Sequence, residues 1–131
     1  MAHLVSFKTA LFDASREKPN DLNPIAGQSV LLWLRDELMK AEYRVTEPDT
    51  EDWGWYIDVK GESGSYLVGA SAEADAPPPL EWIVQVHKHR TLRDKLVGRN
   101  KMAANDPLSM LIERLIRADA RLEQVEVTRD A

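Results

Sequence analysis

Leu31, Leu34, Leu38 and Ala41 recur at three- and four-residue intervals, and Val30 and Trp33 widen that stripe. Arg35, Asp36, Glu37 and Lys40 fall mostly on the opposite side, so the segment predicts an amphipathic helix. Asn23-Pro24 supplies its start, because an Asn N-cap accepts a backbone N–H bond and Pro at the first helical position needs no donor. The pattern fades near Glu42. A second stripe of Leu108, Leu111, Ile112, Leu115 and Ile116 follows Asn105-Asp106-Pro107 and predicts another long helix, ending near Arg121. Between the two, Thr91 to Asp94 has the form of a capping box and Gly98 that of a left-handed stop, which predicts a short helix.

Elsewhere the period is two. His3 to Lys8 reads as a first strand, and the polar run Asp13 to Asp21 as a surface loop. Tyr43 to Thr46 is extended and stops at Glu47-Pro48-Asp49. Trp53 to Lys60, a turn over Gly61 to Gly64, and Ser65 to Ala72 form a hairpin. After the proline-rich loop Glu73 to Pro79, Leu80 to His89 is a strand with Trp82, Val84 and Val86 on one face. Val125 and Val127 suit an edge strand or a frayed tail equally, so residues 122–131 stay open between the two.

A loop of Gly61 to Gly64 sets Lys60 opposite Ser65. Val59 then faces Tyr66, Ile57 faces Val68, Trp55 faces Ala70, and Trp53 faces Ala72, so each tryptophan meets a small partner. This register predicts that Trp53, Trp55 and Ile57 face the helices while Tyr56 and Asp58 face outward. The fold class is α+β: a single-layer antiparallel sheet of about four to six strands with two long helices packed on one face. No repeat or linker divides residues 1–131, which read as a single globular domain.

Bulk composition narrows the classes. At 131 residues, roughly two-thirds of the unfolded chain's surface is buried on folding, enough for a core without staples. Cysteine is absent, which excludes disulfides, a thiol nucleophile and thiolate metal sites. The longest apolar run, Val30 to Leu34, is far too short for a bilayer, and no basic leader precedes a long apolar region. A cytoplasmic protein with no membrane association is expected. Residues 1–82 carry 7 Lys/Arg against 15 Asp/Glu, a net of −8, whereas residues 83–131 carry 10 against 7, a net of +3.

Three constellations are candidates for chemistry. Glu47, Asp49, Glu51 and Asp52 lead into the strand of Tyr56 and Asp58. They lack the alternating order of a calcium loop and the fixed pairing that acid–base catalysis needs, so they suit docking to a basic protein surface. His87 and His89 share a strand face with Gln85, and with Tyr56, Asp58, Arg90 and Arg93 they outline an alternative site for a small anionic ligand or metal-assisted chemistry. A solvated sheet face explains the same histidines more simply, and no metal or other cofactor is expected. Six basic residues between Lys88 and Lys101, extended by Arg114, Arg117 and Arg121, suit anions. Nucleic acid is disfavoured, because no aromatic residue is interleaved among them. Gly61-Glu62-Ser63-Gly64-Ser65 lacks the order and the strand-to-helix setting of a nucleophile turn, and no phosphate loop or dinucleotide fingerprint occurs. The pattern favours a non-enzymatic binding protein of inhibitor, immunity or adaptor type, with another protein as partner.

Overall fold

The structure, a computed structural model, describes residues 2–20, 22 and 25–129. The strands are β1 (Ala2–Thr9), β2 (Ile25–Ala26), β3 (Arg44–Val45), β4 (Asp49–Glu51), β5 (Gly54–Gly61), β6 (Gly64–Glu73), β7 (Leu80–Lys88) and β8 (Glu123–Thr128). The helices are α1 (Gln28–Lys40), α2 (Leu92–Val97) and α3 (Pro107–Ala118), and a single 3-10 turn covers Ala14–Arg16. Six strands run in the order β3-β5-β6-β7-β1-β8, with every neighbouring pair antiparallel. β4 also pairs with β5, and β2 pairs with the far end of β6. The architecture is α+β.

The alternation of each strand decides what is buried. Val5 and Phe7, Trp55, Ile57 and Val59, Tyr66, Val68 and Ala70, and Trp82, Val84 and Val86 form the inner face, all at most 3% exposed. Val30, Leu31, Leu34 and Leu38 of α1 and Leu108, Ile112 and Ile116 of α3 pack into the same core. Phe12 closes its rim, with its ring 5.8 Å from Trp33 and 5.7 Å from Trp82. The other face of the sheet carries no helix among the described residues. α2 stands apart from this core: it buries none of its residues, and Leu92, Leu96 and Val97 remain 75%, 78% and 54% exposed.

The hairpin register matches the expectation from Trp55↔Ala70 through Lys60↔Ser65. Trp53 does not. Ala72 is paired with Ala26 of β2 instead, and β5 begins only at Gly54. Trp53 occupies the tight turn between β4 and β5, and its ring lies across Gly69 on the outer face, away from the helices. Gly54 makes the turn possible: its φ is +150°, and a Cβ there would sit 2.5 Å from the Ala70 carbonyl oxygen. The acidic segment leading into β5 is itself partly strand, with Asp49 paired to Tyr56 and Glu51 to Gly54.

The first helix also starts later than expected. Asn23 and Pro24, its expected cap, lie outside the described residues, and α1 begins at Gln28 after β2 and Gly27. Its cap is distant in sequence. Glu17 Oε1 accepts from the Gly27 and Gln28 amides at 2.9 and 3.0 Å, and Oε2 accepts from the Ser29 amide at 2.9 Å and from the Ser29 hydroxyl. A carboxylate there satisfies orphan N–H groups and complements the positive end of the helix. The remaining caps follow local rules: Thr91 and Asp94 form a reciprocal capping box, Gly98 closes α2 at φ 72°, and Asp106 caps α3 before Pro107. The open C-terminal segment is a strand over Glu123–Thr128, paired with β1.

Candidate functional site

Two regions of surface collect the predicted residues. The first is a corner of the helix-free face, built by β4 and β5. Tyr56 and Asp58 point outward because Trp55, Ile57 and Val59 take the inner positions. Pairing with β4 then places Asp49 beside Tyr56, with Glu51 two pairs further on. The Tyr56 hydroxyl is pushed above the ordinary phenol range by burial first, and then by the charges of Asp49, Asp58 and Glu51. Those four side chains therefore share one electrostatic neighbourhood. Asp52 is exposed at the adjoining turn, beside Trp53.

Glu47 belongs elsewhere. Its carboxylate lies 3.2 Å from Arg35 of α1, which also donates Nε–H to the Thr46 carbonyl at 3.2 Å. Thr46 in turn fixes the backbone of Asp58: its hydroxyl accepts from the Asp58 amide at 2.9 Å, and its amide donates to the Asp58 carbonyl at 3.0 Å. Beside this corner, Trp53, Ile25, Ala76 and Ile83 line a shallow groove of about 460 Å³. Ile83 is 37% exposed there, so an apolar strip borders the acids.

The histidines do not complete the expected ligand constellation. Asp58 pairs with Leu67 and Leu67 with His87, so a whole strand separates Asp58 from His87, about 10 Å at the usual strand spacing. His87 instead lies 2.8 Å from Gln85 through Nε2 and Oε1. Its pKa is lowered, by burial first and also by the neighbouring His89. His89 Nε2 lies 3.7 Å from Asp58 Oδ1. No group of three His, Asp or Glu side chains suited to a metal occurs among the described residues.

The second region is a cleft of about 900 Å³ past the end of β7. Among the described residues the β1–β7 register ends at Ala2↔His87, and the cleft opens beside that end. His87, Lys88, His89 and Arg90 form one side of the resulting space, Lys95 of α2 and Lys101 the other, and Met102, Ala103 and Ala104 supply an apolar wall. Of the expected ligand residues, His87, His89 and Arg90 meet here. Tyr56, Asp58, Gln85 and Arg93 are not part of the lining.

The floor of the cleft is a polar network that alternation alone does not reveal. Lys88 points inward, 11% exposed, with its ammonium 3.5 Å from Asp106 Oδ1 and 5.6 Å from the centre of the Tyr66 ring. The Tyr66 hydroxyl donates to Asp106 Oδ1 at 2.8 Å, and the Tyr66 oxygen also lies 2.8 Å from Ser63 Oγ. Asp106 Oδ2 accepts from the Leu108 and Ser109 amides at 3.1 and 3.3 Å. Burial, reinforced by Asp106, raises the Tyr66 phenol far above its ordinary range. The Asp106-Pro107 start signal disclosed the cap; its second duty, toward Lys88 and Tyr66, arises only when β6, β7 and α3 meet.

The basic stripe expected to continue onto α3 is interrupted by acids. Arg117 lies 3.2 Å from Glu113, which also pairs with Arg129. Arg121 forks onto Asp119 at 2.9 and 2.6 Å, and this hydrogen bonding holds the Asp119 carboxyl at about 2. The positive field is therefore concentrated at the cleft end of the molecule. Comparison of the chain with models of protein families, with curated proteins and with solved structures returned no match.

Proposed function

We propose that this protein is a non-catalytic binding protein that docks a basic surface of another protein on the acidic corner of its helix-free sheet face. The observation that carries this reading is the gathering of Asp49, Glu51 and Asp58 around the Tyr56 hydroxyl, on strands backed by the core. A sheet holds such groups at fixed spacing, so little side-chain and backbone entropy is lost on docking. Trp53 and Ile83 add apolar area at the same corner. Aromatic anchors bordered by charge are the usual energetic centres of protein interfaces. Charges of one sign steer a partner of the opposite sign and accelerate encounter.

The test is affinity capture from native lysate with the wild-type chain and with the Glu51→Lys/Asp52→Lys double variant. Both residues are exposed, so thermal stability stays within about 0.5 kcal/mol. The expected result is a basic protein retained by the wild type, increasingly lost as salt rises, and absent from the double variant. Equal capture by both chains overturns the reading.

A further inference from the structure

We propose that the cleft at the end of β7 binds a soluble small molecule bearing phosphate, with two or more negative charges. The site meets the acidic corner only where Asp58 stands toward His89, and it does not depend on the role proposed for that corner.

The charge arrangement carries the argument. Arg90, Lys95 and Lys101 converge on one concavity, and among the described residues none of them forms an ion pair. The neighbouring acids are committed elsewhere. Asp106 is 2% exposed beneath Lys88. Asp94 accepts from the Thr91 amide within the capping box, and that bond is the main reason its pKa is lowered. Asp58 stands toward His89 at the rim. In a chain of net charge −5, three uncompensated cations around one cleft are mutually repulsive until an anion joins them.

One of the three is also aimed in advance. Arg90 donates Nε–H to the Arg99 carbonyl at 3.1 Å and an Nη2 hydrogen to the Asp94 carbonyl at 3.3 Å. Two backbone acceptors orient the guanidinium without neutralising it, which leaves its charge for a ligand. Guanidinium and ammonium groups together are the usual partners of phosphate oxygens.

The remaining lining narrows the class. A volume of about 900 Å³ exceeds the needs of a bare inorganic anion and falls within the usual range for a small organic ligand. Met102, Ala103 and Ala104 offer an aliphatic surface for its carbon skeleton. No phenylalanine, tyrosine or tryptophan lines the cleft, so a ring on the ligand would meet only the His87 and His89 imidazoles and the Arg90 guanidinium. A phosphorylated metabolite with an aliphatic skeleton suits this lining best.

Pyrophosphate serves as the probe, titrated calorimetrically into the full chain. The expected result is saturable one-site binding that weakens about tenfold or more in Lys95→Ala/Lys101→Ala, since two charge-assisted contacts are lost. Lys101→Glu, which leaves α2 untouched, gives a loss at least as large. The control pair Arg16→Ala/Lys18→Ala, in the loop before β2, leaves binding unchanged. Absence of saturable binding, or an equal loss in the control pair, overturns the proposal. Capture on phosphatidate vesicles without pyrophosphate binding in solution also overturns it, by placing the phosphate on a lipid.

Discussion

The Trp53 ring occupies the space above Gly69 that any other side chain would need. A Cβ built at Gly69 would lie 2.4 Å from Trp53 Cη2 and 2.5 Å from Cζ3. Gly69→Ala must therefore lift the indole from the sheet. The expected cost is about 1–3 kcal/mol, as for other overpacked sites. Chemical denaturation measures it, and the tryptophan emission shifts to the red as Trp53 gains water. Unchanged stability together with unchanged emission would show that the ring does not rest there.

Asp106 joins a helix start to two strands, and its removal separates those duties. Asp106→Ala takes away the cap of α3 and leaves Lys88 buried without its countercharge. A loss of about 3 kcal/mol or more is expected. Asp106→Asn retains an acceptor for the Leu108 and Ser109 amides and so loses less. Urea unfolding of the two variants gives the comparison; equal losses would mean that the cap acceptor contributes nothing beyond the charge at Lys88.

Glu17 reaches α1 across the chain. Glu17→Ala removes the acceptor for three backbone amides and is expected to cost about 1–2 kcal/mol, the upper range for a lost cap. Hydrogen exchange of Gly27, Gln28 and Ser29 should quicken in this variant, while that of the last turn of α1 stays as it was.

His87 makes stability depend on mild acid. Burial lowers its pKa in the folded chain below the ordinary value of 6.5, so the unfolded chain binds more protons between the two values. The contribution of neutral His87 is fully present above 6.5 and is lost as pH falls through that value toward the folded pKa. In His87→Gln, the fall in urea midpoint between about pH 7 and about pH 5 should be shallower. An identical pH dependence in both chains would assign the titration to another group.

Much of this molecule is written in local rules. The β5–β6 register follows from a four-residue loop and from the need to give Trp55 a small neighbour, and Ala70 is indeed opposite it. The capping box at Thr91, the left-handed Gly98 and the start at Asp106-Pro107 are short-range features, and each stands where its residues imply. What escaped the pattern is non-local. Glu17 caps α1 from about a dozen residues away, and β2 takes the place opposite Ala72 that alternation assigned to Trp53. The acidic corner was partly legible, since Tyr56 and Asp58 alternate outward; Glu47 departs from it because Arg35 draws it toward α1. The cleft combines β7 with a connection more than ten residues further along the chain, so a basic run was visible where a concavity was not.

The absence of buried residues in α2 has a consequence for how this surface can change. Because α2 adds nothing to the core, substitutions at Leu92, Arg93, Lys95 or Leu96 escape the packing constraints that bind α1 and α3. The scaffold can persist while Lys95, the contribution of α2 to the cleft lining, is replaced, so the charge of the cleft can change without disturbing the core.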